Sequence, residues 1–169
     1  MRLAKRQVNR SSTRERRSFT RFCPLGLITQ PQRSHEVVAI TDWLKDCLRA
    51  GARVLVPAIV YYEIKRELLR ANKTTGIARL DAFVNATPDR YVPLTDEALR
   101  FAAELWAQSR QAGRPTADAT ALDIDVLLAA QARRVGAAAV IATTNQKHLS
   151  QFIAARHWRD IVPVTFANS

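Results

Sequence analysis

The sequence has 169 residues, a length typical of one domain that can bury a substantial hydrophobic core. Hydrophobic residues make up 47% of the chain and charged residues 24%, the balance of an ordinary globular protein. No apolar run approaches the ~18 residues of a membrane span, which excludes a membrane protein. Two cysteines, Cys23 and Cys47, are too few for a disulfide framework, so we expect a reducing, cytoplasmic compartment.

The net charge of +11 is concentrated at the amino end of the chain. Residues 1–22 hold eight Lys and Arg side chains and one Glu, a charge of +7, whereas the other 147 residues hold 18 basic and 14 acidic side chains, or +4. This basic stretch has neither a helix nor a strand period, so we predict a disordered tail over residues 1–22. A nucleic-acid-binding arm, an organellar transit peptide and a wrongly assigned start or reading frame are open alternatives.

Helix caps and apolar periodicity divide the rest of the chain into alternating helices and short strands. Ser34 is placed to cap the first helix, and Thr95 to cap a later helix that stops at Gly113. Helices are predicted over residues 34–50, 58–71, 76–85, 95–112 and 123–135, strands over residues 53–57, 91–94 and 138–142, and a loop over residues 114–122. This alternation predicts an α/β fold in which helices cover both faces of a mostly parallel sheet.

Acidic side chains lie at successive strand-to-helix junctions of this predicted sheet, where α/β folds bind their ligands. Glu63 lies one turn into the helix after the strand 53–57, and Asp123 and Asp125 lie at the start of the last predicted helix. Further oxygen donors directly follow the strand 138–142: Thr143, Thr144 and Asn145. Oxygen ligands converging from three segments are what Mg²⁺ or Mn²⁺ needs.

Each of these residues also has a purely structural interpretation. Glu63 can pair with Arg66 on the surface of its own helix. Asp123 and Asp125 can cap a helix and complement its dipole, and Asn145 is a common turn residue.

Four segments resemble the PIN domain family, the metal-dependent ribonuclease fold that includes VapC-type toxins of toxin–antitoxin pairs. They occur in the family's order and together cover nearly the whole stretch from Cys23 to about Phe166, which we therefore take as the domain, residues 23–166. The matching segments are Cys23–Thr29 (CPLGLIT), Val54–Glu63 (VLVPAIVYYE), Asp125–Ala132 (DVLLAAQA) and Ala142–Leu149 (ATTNQKHL).

The resemblance implies a three-layer PIN-like fold and an endoribonuclease that hydrolyses RNA with Mg²⁺ or Mn²⁺. Glu63 matches the family's helix glutamate, Asp125 matches the aspartate that opens the small-residue helix, and Asp123 is an auxiliary carboxylate. Asn145 falls where many members carry a further aspartate, so this position offers a neutral oxygen. The implied partners are RNA, contacted through phosphates, a cognate antitoxin protein and a second copy in a homodimer. Three basic residues are candidates for the phosphate contacts: Lys65, Arg66 and Arg70.

The sequence departs from the family at its amino end. The family begins with a buried strand that ends in an aspartate, and alignment on Cys23 places that aspartate at Arg21. Residues 16–20 do not have the pattern of a strand, so we expect both the central strand and one metal ligand to be missing. This departure favours an alternative from another class, a catalytically degenerate protein that binds nucleic acid or a partner.

The remaining residues that could do chemistry are better explained by structure. His35, His148 and His157 are dispersed and lack the helical spacing of a zinc site, so we predict structural or surface roles. Trp158 lies among basic residues and could stack a base, but packing against the domain is the favoured interpretation.

Overall fold

The structure is a computed structural model that describes residues 20–22, 26, 29, 34–119, 121–136, 138–144 and 146–163. Helices and short strands alternate along the chain, as the sequence pattern predicts. The strands are β1 (Thr20–Phe22), β2 (Arg53–Pro57), β3 (Tyr91–Val92), β4 (Val140–Thr143) and β5 (Ala155–His157). The helices are α1 (His35–Arg49), α2 (Ala58–Arg70), α3 (Thr74–Asn85), α4 (Asp96–Gln111), α5 (Ile124–Val135) and α6 (Gln146–Leu149), and a 3₁₀ turn covers Trp158–Asp160.

The five strands form one parallel sheet in the order β3-β2-β1-β4-β5. The central strand β1 pairs with β2 on one side, where Arg21 lies opposite Val54, and with β4 on the other, where Arg21 lies opposite Val140. The predicted parallel sheet is therefore confirmed.

The expectation that no strand precedes Cys23 is wrong. Thr20–Phe22 lies within the stretch assigned to the tail, yet it occupies the centre of the sheet. Three residues are too few to show a strand period, and β1 is defined by pairing with strands that lie far from it in sequence. Residues 1–19 of the predicted tail, Cys23 and the predicted domain end at Phe166 lie outside the described residues.

The hydrophobic core has two parts because β2 is buried on both faces. Leu55 points into a cluster with the buried residues of α4 and α5, whereas Val54 and Val56 point into a cluster with α1 and α3. Successive side chains of a strand face opposite sides, so one strand supplies both clusters. Helices cover both faces of the sheet, and the predicted three-layer architecture is confirmed.

Helix boundaries follow their caps closely. The Ser34 hydroxyl accepts a hydrogen bond from the Val37 amide at 3.3 Å, and the Thr95 hydroxyl accepts one from the Ala98 amide at 3.2 Å. Both caps satisfy a backbone donor that the first turn of a helix leaves unpaired.

Several elements differ from their predicted bounds or were not predicted. The predicted strand 138–142 is displaced to Val140–Thr143, and α3 begins at Thr74 rather than Gly76. Neither β5 nor α6 was predicted, because three or four residues show no resolvable period.

The carboxyl-terminal part of the described chain packs onto the domain. Trp158 is only 3% exposed, and its ring lies 5.8 Å from that of Trp43, which confirms packing over base stacking. Along the described stretches, no helix has the length and apolar character needed to cross a membrane.

Candidate active site

The elements that carry the predicted site residues meet at the carboxyl edge of the sheet. Glu63 lies in the second turn of α2, which follows β2 without a break. Asp123 and Asp125 open α5, and Thr144 directly follows β4. Because β2 and β4 both run parallel to β1, their carboxyl ends lie at the same edge of the sheet.

Asp123 is the N-cap of α5 and is almost completely buried, with 6% of its surface exposed. One carboxylate oxygen, Oδ1, accepts a hydrogen bond from the Val126 amide at 3.2 Å, and Oδ2 accepts one from the Thr116 hydroxyl. The capping alternative for Asp123 is therefore confirmed. Each oxygen keeps a second lone pair, so the cap leaves acceptor capacity on the carboxylate.

Asp125 lies in the first turn of α5 with 28% of its side chain exposed. Burial raises the pKa of this carboxyl above its ordinary value, and the neighbouring Asp123 carboxylate raises it further, while His148 acts in the opposite direction. Burial and the neighbouring carboxylate both disfavour the charged form of Asp125, so a cation would be stabilising beside it.

His148 is a contact of Asp125 that the sequence analysis missed. Its Nδ1 atom lies 3.3 Å from Oδ2 of Asp125, and 41% of its side chain is exposed. The contact joins α6 to α5 across more than twenty residues of chain, so no local spacing indicates it. The only available signal was that His148 belongs to the segment after β4, which also carries Thr144.

The Glu63 side chain forms an ion pair within its own helix. Its Oε1 atom accepts a hydrogen bond from Nη2 of Arg66 at 2.9 Å, and the two side chains are 37% and 49% exposed. The surface ion pair that was the structural alternative for Glu63 is therefore present. Glu63 also lines a cleft of about 390 Å³ together with Glu67, Arg70 and Lys73.

The structure thus brings Asp123 and Asp125 together but shows no contact between them and Glu63. Asp123 lines a different, largely apolar cleft of about 350 Å³ beside Leu99 and Leu122. Asn145 lies outside the described residues. In the part of the chain that the structure describes, no group of three or more His, Cys, Asp and Glu side chains could hold a metal ion.

The basic residues predicted to contact phosphates each lie against an acidic side chain. The pairs are Lys65 with Asp81 at 3.3 Å, Arg66 with Glu63 at 2.9 Å and Arg70 with Glu67 at 2.7 Å. Hydrogen bonding from Tyr61 and Lys65 lowers the pKa of Asp81, so both side chains favour the charged form of this carboxylate. Lys73, on the Glu63 cleft, has no acidic partner among the described residues and is the better phosphate candidate.

A family model of the PIN domain matches residues 33–151, which is more than half of the chain. The chain belongs to the PIN domain family. The fold agrees with this membership, since the three-layer α/β architecture is the one that the resemblance implied. No curated protein sequence matches the chain.

Solved structures share the fold of this PIN domain at low sequence identity. A structure of FitAB bound to an IR36 DNA fragment matches with a TM-score of 0.60 and 17% identity, over 85% of this chain and 97% of that one. FitAcB from Neisseria gonorrhoeae matches with a TM-score of 0.58 and 17% identity, over 84% and 99% of the two chains. VapBC2 from Rickettsia felis, bound to a DNA fragment from their promoter, matches with a TM-score of 0.58 and 16% identity, over 82% and 98%.

Proposed function

We propose that this PIN domain is an endoribonuclease that hydrolyses RNA phosphodiesters with Mg²⁺ or Mn²⁺ and acts as the toxin of a toxin–antitoxin pair. The observation that carries the proposal is the pair formed by Asp125 and Asp123, in which burial and, to a smaller extent, the neighbouring Asp123 carboxylate raise the pKa of Asp125. Family membership and the fold shared with FitAB and VapBC2 support it. The proposed partners are RNA, an antitoxin protein and a second copy of the chain.

The donor set fits a hard divalent cation at this pair. Both groups are carboxylates, which Mg²⁺ and Mn²⁺ prefer, and a cation would relieve the unfavourable charge at Asp125. Asp125 and Asp123 would hold the cation, and Glu63 would join them by exchanging Arg66 for the metal. When bound, the cation would supply Lewis-acid polarisation of the phosphodiester and an activated water.

The residues around the pair have separate tasks in this proposal. His148 contacts Oδ2 of Asp125 and so leaves Oδ1 for other ligands. This arrangement resembles the outer-shell contacts that orient metal ligands in proteins. Lys73 lies on the Glu63 cleft and would contact a phosphate of the RNA backbone, which positions the strand without reading its sequence.

A second candidate function is a PIN-like protein that binds nucleic acid or a partner without cleavage. The observation that favours it is Arg21 at the middle of β1, the strand from which the family supplies an aspartate. Arg cannot lose its proton in a protein and cannot ligate a cation.

Cleavage of a mixed RNA substrate by the full-length chain separates the two functions. We expect cleavage with Mn²⁺ or Mg²⁺ that EDTA abolishes and that Asp125→Asn eliminates. Asp96→Asn is the matched control, because Asp96 also lies in the first turn of a capped helix but outside the proposed site. RNA binding without metal-dependent cleavage would support the second function, and equal cleavage by the wild type and Asp125→Asn would refute the assignment of the site.

A further inference from the structure

Gln131 is a polar side chain in the middle of the most buried stretch of α5. It is 1% exposed and is surrounded in sequence by Ala129, Ala130 and Ala132, each of which is fully buried. A buried amide is stabilising only when its donor and acceptor groups are paired. The neighbouring alanine side chains have no hydrogen-bonding groups, so the amide of Gln131 needs other partners.

Both ends of the Gln131 amide bond to backbone atoms of other elements. Oε1 accepts a hydrogen bond from the Ile59 amide of α2 at 3.2 Å. Nε2 donates to the Val92 carbonyl of β3 at 3.0 Å. One side chain of α5 therefore bonds to both the first turn of α2 and the edge strand of the sheet.

The bond to Ile59 replaces a helix cap that α2 lacks. The N-cap residue of α2 is Pro57, which offers no side-chain hydrogen bond, and Ile59 is the second residue of the helix. An N-cap side chain ordinarily accepts a bond from the amide at this position. Gln131 provides the same acceptor from a neighbouring helix. The first turn of α2 is therefore held by a side chain of α5 and not by the side chain of its own N-cap residue.

The two helices joined in this way carry the acidic residues of the proposed site. Glu63 lies four residues after Ile59, which is about one turn along α2, and Asp125 lies six residues before Gln131, less than two turns along α5. We propose that Gln131 is a positioning residue that sets the separation of Glu63 and Asp125 and thereby the affinity for the divalent cation. This inference rests on the proposed function.

The test compares Gln131→Met with a stability control in the full-length chain. Met has a similar length but cannot form either hydrogen bond. Ile40→Val is the control, because Ile40 is fully buried in the other core cluster and touches neither bond. Each protein is measured by thermal denaturation, amide hydrogen exchange, Mn²⁺ titration and RNA cleavage.

We expect Gln131→Met to weaken Mn²⁺ binding by about tenfold or more and to lower kcat with little change in the KM for RNA. We also expect faster exchange at the start of α2, whereas Ile40→Val should lower the melting temperature without these effects. Mn²⁺ affinity and kcat that match the wild type in Gln131→Met would overturn the proposal, whatever happens to its melting temperature.

A wild-type chain that neither binds Mn²⁺ nor cleaves RNA would instead refute the proposed function. The amide hydrogen-exchange measurement still tests, in that case, whether Gln131 holds the first turn of α2 in place. Faster exchange confined to the first turn of α2 in Gln131→Met would support the link between the helices, and unchanged or uniformly faster exchange would overturn it.

Discussion

Replacing Asp123 by Ala should destabilise the domain by about 2–4 kcal/mol through two separate losses. The first is the N-cap bond from the Val126 amide, for which such replacements cost about 1 kcal/mol. The second is the partner of the Thr116 hydroxyl, since leaving a partly buried polar group unpaired costs about 1–3 kcal/mol. For a chain of this length the sum corresponds to a fall in melting temperature of roughly 4–16 °C.

Two further variants separate these contributions in a urea or thermal denaturation assay. Thr95→Ala removes a cap of the same kind from α4, where the Thr95 hydroxyl accepts from the Ala98 amide and also bonds the Glu97 carboxylate, and should cost about 1 kcal/mol. Asp123→Asn keeps an acceptor for the Val126 amide and a group that can bond Thr116, so it should stay within about 1 kcal/mol of the wild type. If Asp123→Ala costs no more than Thr95→Ala, the bond to Thr116 contributes nothing and the reasoning is wrong.

Asp123→Asn also distinguishes a cap from a metal ligand at the same position. A folded Asp123→Asn protein should bind Mn²⁺ more weakly than the wild type, because the amide oxygen lacks the negative charge of the carboxylate. Unchanged Mn²⁺ affinity would limit Asp123 to its structural role and leave Asp125 as the ligand of α5.

Three further predictions concern charge at the site. Asp125→Asn should raise the melting temperature at pH 7, because burial raises the pKa of Asp125 above its ordinary value of 3.8 and ionisation therefore destabilises the folded state. The difference in melting temperature should disappear as the pH falls to 3.8 and below, and a difference that does not depend on pH would contradict this. Millimolar Mn²⁺ should raise the melting temperature of the wild type and not that of Asp125→Asn, and an unchanged wild-type value would count against the site. Arg21→Asp should tighten Mn²⁺ binding by about tenfold or more in a titration, and more than Arg21→Gln does. An Mn²⁺ affinity that Arg21→Asp leaves unchanged would refute this.

The sequence predicts the longer elements well because local signals define them. Caps at Ser34 and Thr95 fix the starts of α1 and α4, and the five-residue strand β2 is bounded as predicted. The same local signals also predict that Asp123 can cap a helix and that Glu63 can pair with Arg66. These features depend on residues that lie within four positions of one another.

The features that the sequence does not reveal depend on long-range pairing. β1 is recognisable only through its partners β2 and β4, since Thr20–Phe22 has an arginine at its centre and no apolar period. The contact between His148 and Asp125 and the bonds of Gln131 likewise join segments that are separated by more than twenty residues. Which residues share a site is therefore set by the topology of the sheet rather than by any motif.

The structure also indicates which of two basic residues, Arg66 or Arg21, opposes metal binding more. The ion pair between Glu63 and Arg66 is half-exposed, and pairs of this kind contribute about 0.3–0.5 kcal/mol. Releasing Glu63 to a cation would therefore cost little. A guanidinium within about 5 Å of a divalent cation costs ~2–7 kcal/mol at an effective dielectric constant near 20–80. Because β1 is present and paired on both sides, Arg21 is a departure of one residue within an otherwise complete sheet. We therefore expect Arg21→Asp to restore metal binding more than any substitution at Arg66 does.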